Sequence, residues 1–296
     1  MSDTATDEWR PMIDRYAPIS IGGSGNPPVF CLAPVHGSPS IYRHLVPELG
    51  RKVSFVGLSS LGVFLDVPAP PTLEEQAASA LDRILKFDDV SSGGFGILGY
   101  SMGGKLAYEV SIRLSALGLV PKDIVIIDSH FEGDRRLVGP EAQTHIDWVW
   151  DLFFTVYFGL DRQSVMHGEI FRQFLGSCLA DQLGTVRRYI SIHRPTGHLD
   201  NISNNDLRKL FLFHYSQCKS VANYTPPPSD LSIVYLEAKH SENLGQAQLW
   251  REVAAGGCSI FQIDGTHTSI FYDRERQNEL ARCLRDNVAL FRENDL

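Results

Sequence analysis

Gly94-Phe-Gly-Ile-Leu-Gly-Tyr-Ser-Met-Gly-Gly-Lys-Leu-Ala-Tyr-Glu-Val-Ser-Ile-Arg-Leu114 decides the fold. Phe95 to Tyr100 is an apolar run that predicts a buried strand, and Leu106, Ala107, Val110 and Leu114 then recur on one face of a helix. Between the two the chain turns at Gly99-Tyr100-Ser101-Met102-Gly103, a G-x-S-x-G pattern. A strand that breaks into a helix at that pattern is a nucleophile elbow. The turn is so sharp that the serine takes a strained backbone conformation and presents its hydroxyl at the edge of the sheet. Gly99 and Gly103 flank it because a Cβ at either place would meet the neighbouring strand or helix. The helix that follows aims its first N–H groups at any anion formed at Ser101 Oγ.

Two other motifs overlap the same stretch. Gly94-x-Gly96-x-x-Gly99 matches a dinucleotide fingerprint in letters, but such a fingerprint follows a strand, whereas these glycines precede and occupy one. Gly99-x4-Gly104-Lys105 resembles a phosphate-binding loop, yet Leu106 stands where a magnesium-binding Ser or Thr belongs. The elbow is the reading that the strand–turn–helix setting supports.

Working outward toward the N-terminus, residues 1–27 are polar and end in a Gly- and Pro-rich run, which predicts a tail or linker. The domain proper is expected over 28–296. Val29 to Pro34 reads as a buried strand, followed by the loop Val35-His36-Gly37-Ser38-Pro39 and a helix from Ile41 to Leu49. Val53 to Leu58 is a second strand, and Thr72 with Glu75 forms a capping box that opens a helix from Leu73 to Phe87. Beyond the elbow helix, Ile124 to Ile127 is an apolar strand that ends at Asp128. Strands alternating with helices predict a mostly parallel sheet with helices on both faces, whose ligands sit at the carboxyl ends of the strands.

From about 131 to 225 the strand pattern stops. Helices are expected at Ile146 to Phe158, Ile170 to Ile190 and Leu207 to Val221, before Pro226-Pro-Pro228 and two more strands, Leu231 to Leu236 and Cys258 to Ile263. A helix near Leu244 to Ala255 separates those strands, and a long one from Arg274 to Phe291 ends the chain. A helical block inserted between parallel strands reads as a lid above the sheet. Its aromatic set, Trp148, Trp150, Phe153, Phe154, Tyr157 and Phe158, is denser than one helical stripe needs. Part of it is expected to pack on the core and part to line a channel for an apolar chain. His36, Tyr100, Trp148, Phe153 and Tyr157 are the candidate substrate-binding residues.

The net charge of −8 argues against nucleic acid or an anionic membrane as a partner. Five cysteines, an odd number with no C-x-x-C pair, suit reduced thiols in a cytoplasm. No apolar run follows Met1, and the most apolar segment, Trp148 to Leu160, is 13 residues long and contains Asp151, too short to span a bilayer. A cytoplasmic, monomeric protein without a metal or cofactor of its own is expected.

A serine hydroxyl needs a base within hydrogen-bond reach, and the base needs an orienting carboxylate. In α/β-hydrolases these follow in the order Ser, Asp or Glu, His. His267 lies in the loop after a late strand, Ile263-Asp-Gly-Thr-His267, where an imidazole reaches the sheet edge. His36 follows the first strand but precedes the serine, and reads as a wall residue. Asp128 ends the strand after the elbow helix and is the preferred acid; Glu237 and Glu242, after the next strand, remain alternatives because that loop holds no Asp. Asp264 reads as a loop stabiliser. The oxyanion donors are expected to be the N–H of Met102, just past the nucleophile, and of Val35, since Pro34 has none.

The sequence resembles the product-releasing (type I) thioesterase domains of nonribosomal peptide and polyketide assembly lines. The resemblance lies in Pro28-Val-Phe-Cys-Leu-Ala-Pro-Val-His-Gly-Ser38 with Tyr42 and Leu45, Gly99-Tyr-Ser-Met-Gly-Gly-Lys-Leu-Ala-Tyr-Glu-Val110, Ile126-Ile-Asp-Ser129 and Gly265-Thr-His267. It implies an α/β-hydrolase fold, Ser101 as acyl acceptor with Asp128 and His267 as partners, and Val35 and Met102 as oxyanion donors. It also implies a substrate carried on the phosphopantetheine arm of an acyl or peptidyl carrier protein, released by hydrolysis or by an internal amine or hydroxyl. Ala33 and Thr266 depart from the family, which often has a His and an acidic residue there. A stand-alone editing (type II) thioesterase, a lipase or esterase on free esters, and a hydrolase fold kept as a binding module are the rival readings.

Overall fold

The computed structural model describes residues 16–63, 69–70, 72–91, 94–131, 204–241 and 243–292. Seven strands form one sheet: β1 Ile19–Gly22, β2 Pro28–Leu32, β3 Ser54–Leu58, β4 Gly96–Tyr100, β5 Asp123–Ile127, β6 Ser232–Ala238 and β7 Gly257–Ile263. Their spatial order is β1-β3-β2-β4-β5-β6-β7. All neighbours are parallel except β1, which runs antiparallel to β3 with Ile19 opposite Gly57. The stretch expected to be a polar tail therefore supplies an edge strand. It is four residues long and half exposed, too short to show a period in the sequence.

Alternation along the strands sorts side chains to two faces. Val29 and Cys31 of β2, Leu98 and Tyr100 of β4, and Val125 and Ile127 of β5 join one core with Ile41, Tyr42 and Leu45. The last three belong to a 3-10 turn, Pro39–Leu45, that runs into the short helix α1, Val46–Leu49. Also on this face are α7, Ser269–Tyr272, and α8, Arg274–Asn287, which stops short of the expected Phe291. Phe30 and Leu32 of β2 and Ile97 of β4 point the other way. They meet α2, Leu73–Ile84, through Leu73, Ala77 and Ala80, and α4, Met102–Ala116, through Leu106, Val110 and Leu114. The capping box of α2 is formed, Thr72 Oγ1 accepting from Glu75 N–H and Glu75 accepting from Thr72 N–H. Helix α3, Asp88–Ser91, is a single turn before β4. Helix α6, Ala247–Val253, buries Trp250 against Tyr235 of β6 and Tyr108 of α4.

Helix α5, Asn204–Ala222, covers the third helix expected in the inserted block. The other two, with Trp148, Trp150, Phe153, Phe154, Tyr157 and Phe158, lie outside the described residues, as does Glu242. Among the described residues no helix is long and apolar enough to cross a membrane.

Candidate active site

The elbow is built by close approach of backbones. A Cβ on Gly99 would strike the carbonyl of Gly103, and one on Gly103 would strike the carbonyl of Leu32 at the end of β2. With no side chains in the way, the first turn of α4 sits directly against β2 and β4. Ser101, between strand and helix, is held at φ 56, a conformation serine rarely adopts. Its N–H donates to the carbonyl of Ile127 at 3.0 Å, which pins the elbow to the end of β5. The hydroxyl of Tyr42 ties the same region together, donating to Leu32 O at 2.8 Å and accepting from Tyr100 N–H at 2.7 Å.

Around this elbow three distant parts of the chain converge. His267 Nε2 lies 3.1 Å from Ser101 Oγ, and His267 Nδ1 lies 2.7 Å from Asp128 Oδ2. A carboxylate oxygen only accepts, so Nδ1 carries the proton and Nε2 offers its lone pair to the Ser101 hydroxyl. Asp128 is fully buried and sits at φ 42, its N–H donating to Leu236 O at 2.7 Å. Burial alone would push its carboxyl up. The hydrogen bond and charge of His267, with bonds from the Ser241 hydroxyl and the Ala238 N–H, outweigh that and hold it below the ordinary aspartate value.

Tyr100, expected as a substrate contact, is joined to the base itself. It is 4% exposed; its hydroxyl donates to His267 O at 2.6 Å and its ring stacks on the imidazole, centroids 4.8 Å apart. Tyr100 thus supports the base from beneath. His36 is half-buried in the loop after β2, and its Nδ1 accepts from Ser38 N–H at 3.2 Å. The adjacent Gly37 lies against Phe213 of α5, whose ring is 2.6 Å from where a Cβ would stand. That contact puts α5 over the β2 loop. Trp148, Phe153 and Tyr157 lie outside the described residues.

The expected oxyanion donors are brought together in one respect: the position of Gly103 lies against the carbonyls of Leu32 and Ala33, so Met102 and the Ala33-Pro34-Val35 segment are neighbours. Asp264 does stabilise its loop, pairing with Arg276 at 2.7 Å and with His240 at 3.0 Å. Glu237, an alternative acid in the sequence, accepts from Gly245 N–H at 2.7 Å and from Gln262 at 3.0 Å, away from the imidazole.

Sequence reasoning missed two features. Lys105 is fully buried, and its ammonium donates to the carbonyls of Tyr224 at 2.9 Å and Val221 at 3.2 Å, at the end of α5. Tyr224 in turn donates to Glu109 Oε2 at 2.8 Å, and Tyr108 reaches Pro227 O at 3.0 Å. The Gly-Gly-Lys-Leu-Ala-Tyr-Glu continuation of the elbow thus anchors the segment that follows α5. The second feature is the pair Ser241 and Asn243, both bonded to Asp128. Among the described residues no group of three or more His, Cys, Asp or Glu is arranged to hold a metal ion.

Comparison with known proteins fits this arrangement. Over 261 residues the chain is 24% identical to CymA, a probable non-canonical nonribosomal peptide synthetase of Salinispora arenicola, covering 87% of this chain and 3% of CymA. The chain likewise spans only 5% of a dimodular nonribosomal peptide synthase and 4% of the polyketide synthase PksR, both of Bacillus subtilis. Among solved structures, a four-domain nonribosomal peptide synthetase bound to AMP and glycine superposes with a TM-score of 0.76 at 19% identity, over 92% of this chain and 20% of that one. The Vlm2 thioesterase domain with a bound dodecadepsipeptide gives 0.63 at 16% identity, over 91% of this chain and 97% of that one. These likenesses and the sheet order identify an α/β-hydrolase fold. The family model for the thioesterase domain runs across residues 27–288, and the chain belongs to that family.

Proposed function

We propose that the protein releases an acyl or peptidyl chain from a thioester on the phosphopantetheine arm of a carrier protein, through an acyl-enzyme on Ser101. The observation that carries this reading is the unbroken line from Ser101 Oγ to His267 Nε2 at 3.1 Å and from His267 Nδ1 to Asp128 Oδ2 at 2.7 Å. His267 takes the Ser101 proton as Oγ attacks the thioester carbonyl, and Asp128 stabilises the imidazolium that results. The oxyanion of the tetrahedral intermediate faces the N–H of Met102, at the start of α4 where the helix dipole favours negative charge, and the N–H of Val35 in the loop after β2. The imidazolium returns its proton to the departing thiolate. His267 then deprotonates water, or an internal amine or hydroxyl of the acyl chain, and the second attack frees Ser101. The assembly-line names of the relatives support a carrier-borne substrate.

Ser101→Ala is expected to abolish cleavage of an aminoacyl N-acetylcysteamine thioester, and a fluorophosphonate is expected to label Ser101 alone. Full turnover by the alanine variant would sink the reading. Faster cleavage of a p-nitrophenyl ester than of a thioester of similar length would point to an esterase instead. Weighing the products from peptidyl thioesters separates a linear acid from a product one water lighter.

A further inference from the structure

We propose that Ser241 and Asn243, on the loop after β6, are the positioning residues of Asp128: they fix the carboxylate so that Oδ2 faces His267 Nδ1. The inference rests on the acyl-enzyme reading above and extends it to a loop that contributes no carboxylate of its own to the line.

A carboxylate at the end of a strand can rotate about both its side-chain bonds. Here both oxygens are held. Ala238 N–H donates to Oδ1 at 3.0 Å, and the Ser241 hydroxyl donates to Oδ2 at 2.7 Å. The Asn243 amide donates to Asp128 O at 3.0 Å and reaches Oδ2 at 3.4 Å, so one side chain holds both the left-handed backbone and the acid. Its nitrogen lies 3.2 Å from His267 Nδ1. Both are donors, so Asn243 packs beside the ring while its hydrogens go to Asp128.

The loop itself is fixed. Asn243 N–H donates to Ser241 Oγ at 3.0 Å, which leaves the Ser241 proton to point at Asp128. Ser241 N–H closes on Ala238 O at 3.1 Å, and buried Glu237 holds Gly245 N–H at 2.7 Å. Ser241 and Asn243 are both buried.

Oδ2 therefore shares its charge among the imidazole and two neutral donors. Removing the Ser241 hydroxyl leaves more of that charge to Nδ1–H, which changes how firmly the carboxylate holds the imidazole and so moves the acidic limb of the rate profile upward. The other titratable groups facing the site come from β4, β6, α7 and the β7 loop. Tyr100, Tyr235 and Tyr272 are all raised by burial and stay neutral, and Glu237, near the end of β6, accepts from Gly245 and Gln262. His240, on the same loop, pairs with Asp264 at 3.0 Å, so the measurement is made in a His240→Gln background to leave one fewer ionisable group on the loop.

The experiment is a pH profile of kcat and kcat/KM on an aminoacyl N-acetylcysteamine thioester, from about pH 5 to about pH 9. For Ser241→Ala we expect kcat to fall about ten-fold with KM within about two-fold, and the acidic limb to move up by roughly half a unit. Ser241→Thr keeps the hydroxyl and should keep the limb in place; Asn243→Ala should move it with a larger loss of kcat. An unmoved limb in both alanine variants overturns the proposal, whether or not kcat falls, because a role confined to folding leaves the pH dependence of the rate where it was. Ser101→Ala is run alongside. If it stays active, the acyl-enzyme reading itself has failed; if it is dead while the limbs stay still, only the positioning role has.

Discussion

Asp128 illustrates how much the chemistry depends on one oxygen. An asparagine at that position keeps the shape but can present a donor to a nitrogen that is itself a donor. The imidazole then takes the other tautomer, and Nε2 loses the lone pair it needs for the Ser101 proton. Asp128→Asn should lower kcat by about 10³- to 10⁴-fold with little change in KM, and with an unchanged circular dichroism spectrum. A loss under about ten-fold would mean that His267 is oriented by something else. At this scale the sequence was informative where a residue type has few uses. Ser101 stands in a pattern with a strand before it and a helix after it, and Asp128 and His267 sit at strand ends in the right order. Ser241 and Asn243 were illegible because a loop scanned for a carboxylate passes over neutral donors. The bond from the Tyr100 hydroxyl to the main chain of His267 was illegible because nothing local announces a partner 167 positions away.

Among the elements, α4 has two tasks. Its first turn supports the nucleophile, and its next turns hold the end of α5 through Lys105, Tyr108 and Glu109. Tyr224→Phe removes one hydroxyl and leaves buried Glu109 Oε2 without that donor, while Oε1 keeps Arg113 at 2.8 Å. Stability to urea should fall by about 1–3 kcal/mol, the usual cost of stranding a buried polar group. A midpoint equal to the parent's would show that water replaces the tyrosine. Helices α2 and α4 were legible from the spacing of their apolar residues and from the Thr72–Glu75 capping box. The edge strand β1 was not, because its pairing with β3 is a long-range fact that four residues cannot announce. The two expected strands after the Pro-rich turn were correct in place, although β7, at the edge of the sheet, buries only Ile263 fully.

Taken as a whole, the molecule keeps two histidines neutral where α5 meets the β2 loop. His214, fully buried and 3.5 Å from Cys218 Sγ, is depressed to about 3 by burial and then by the nearby His36; His36 is depressed to about 4 by burial. In the unfolded chain both titrate near pH 6.5. Below that pH the unfolded state binds the extra protons first, so stability falls as pH drops from about 6.5 to about 4, and His214 extends the loss toward 3. The depressed Asp128 acts lower still: its contribution is complete above the ordinary aspartate value and is lost as pH falls through its folded one. The urea midpoint should decline between about pH 7 and about pH 5, and His214→Asn should flatten that decline. A midpoint steady over that interval would contradict burial of neutral imidazoles.

One backbone setting reaches beyond the site. With φ at 56, position 101 suits glycine and strains serine, so each folded molecule carries a standing tension of about 1–3 kcal/mol at the atom where reactivity is wanted. Endurance and turnover make opposite demands there. A lineage selected for heat resistance alone would give up the hydroxyl before it gave up the architecture.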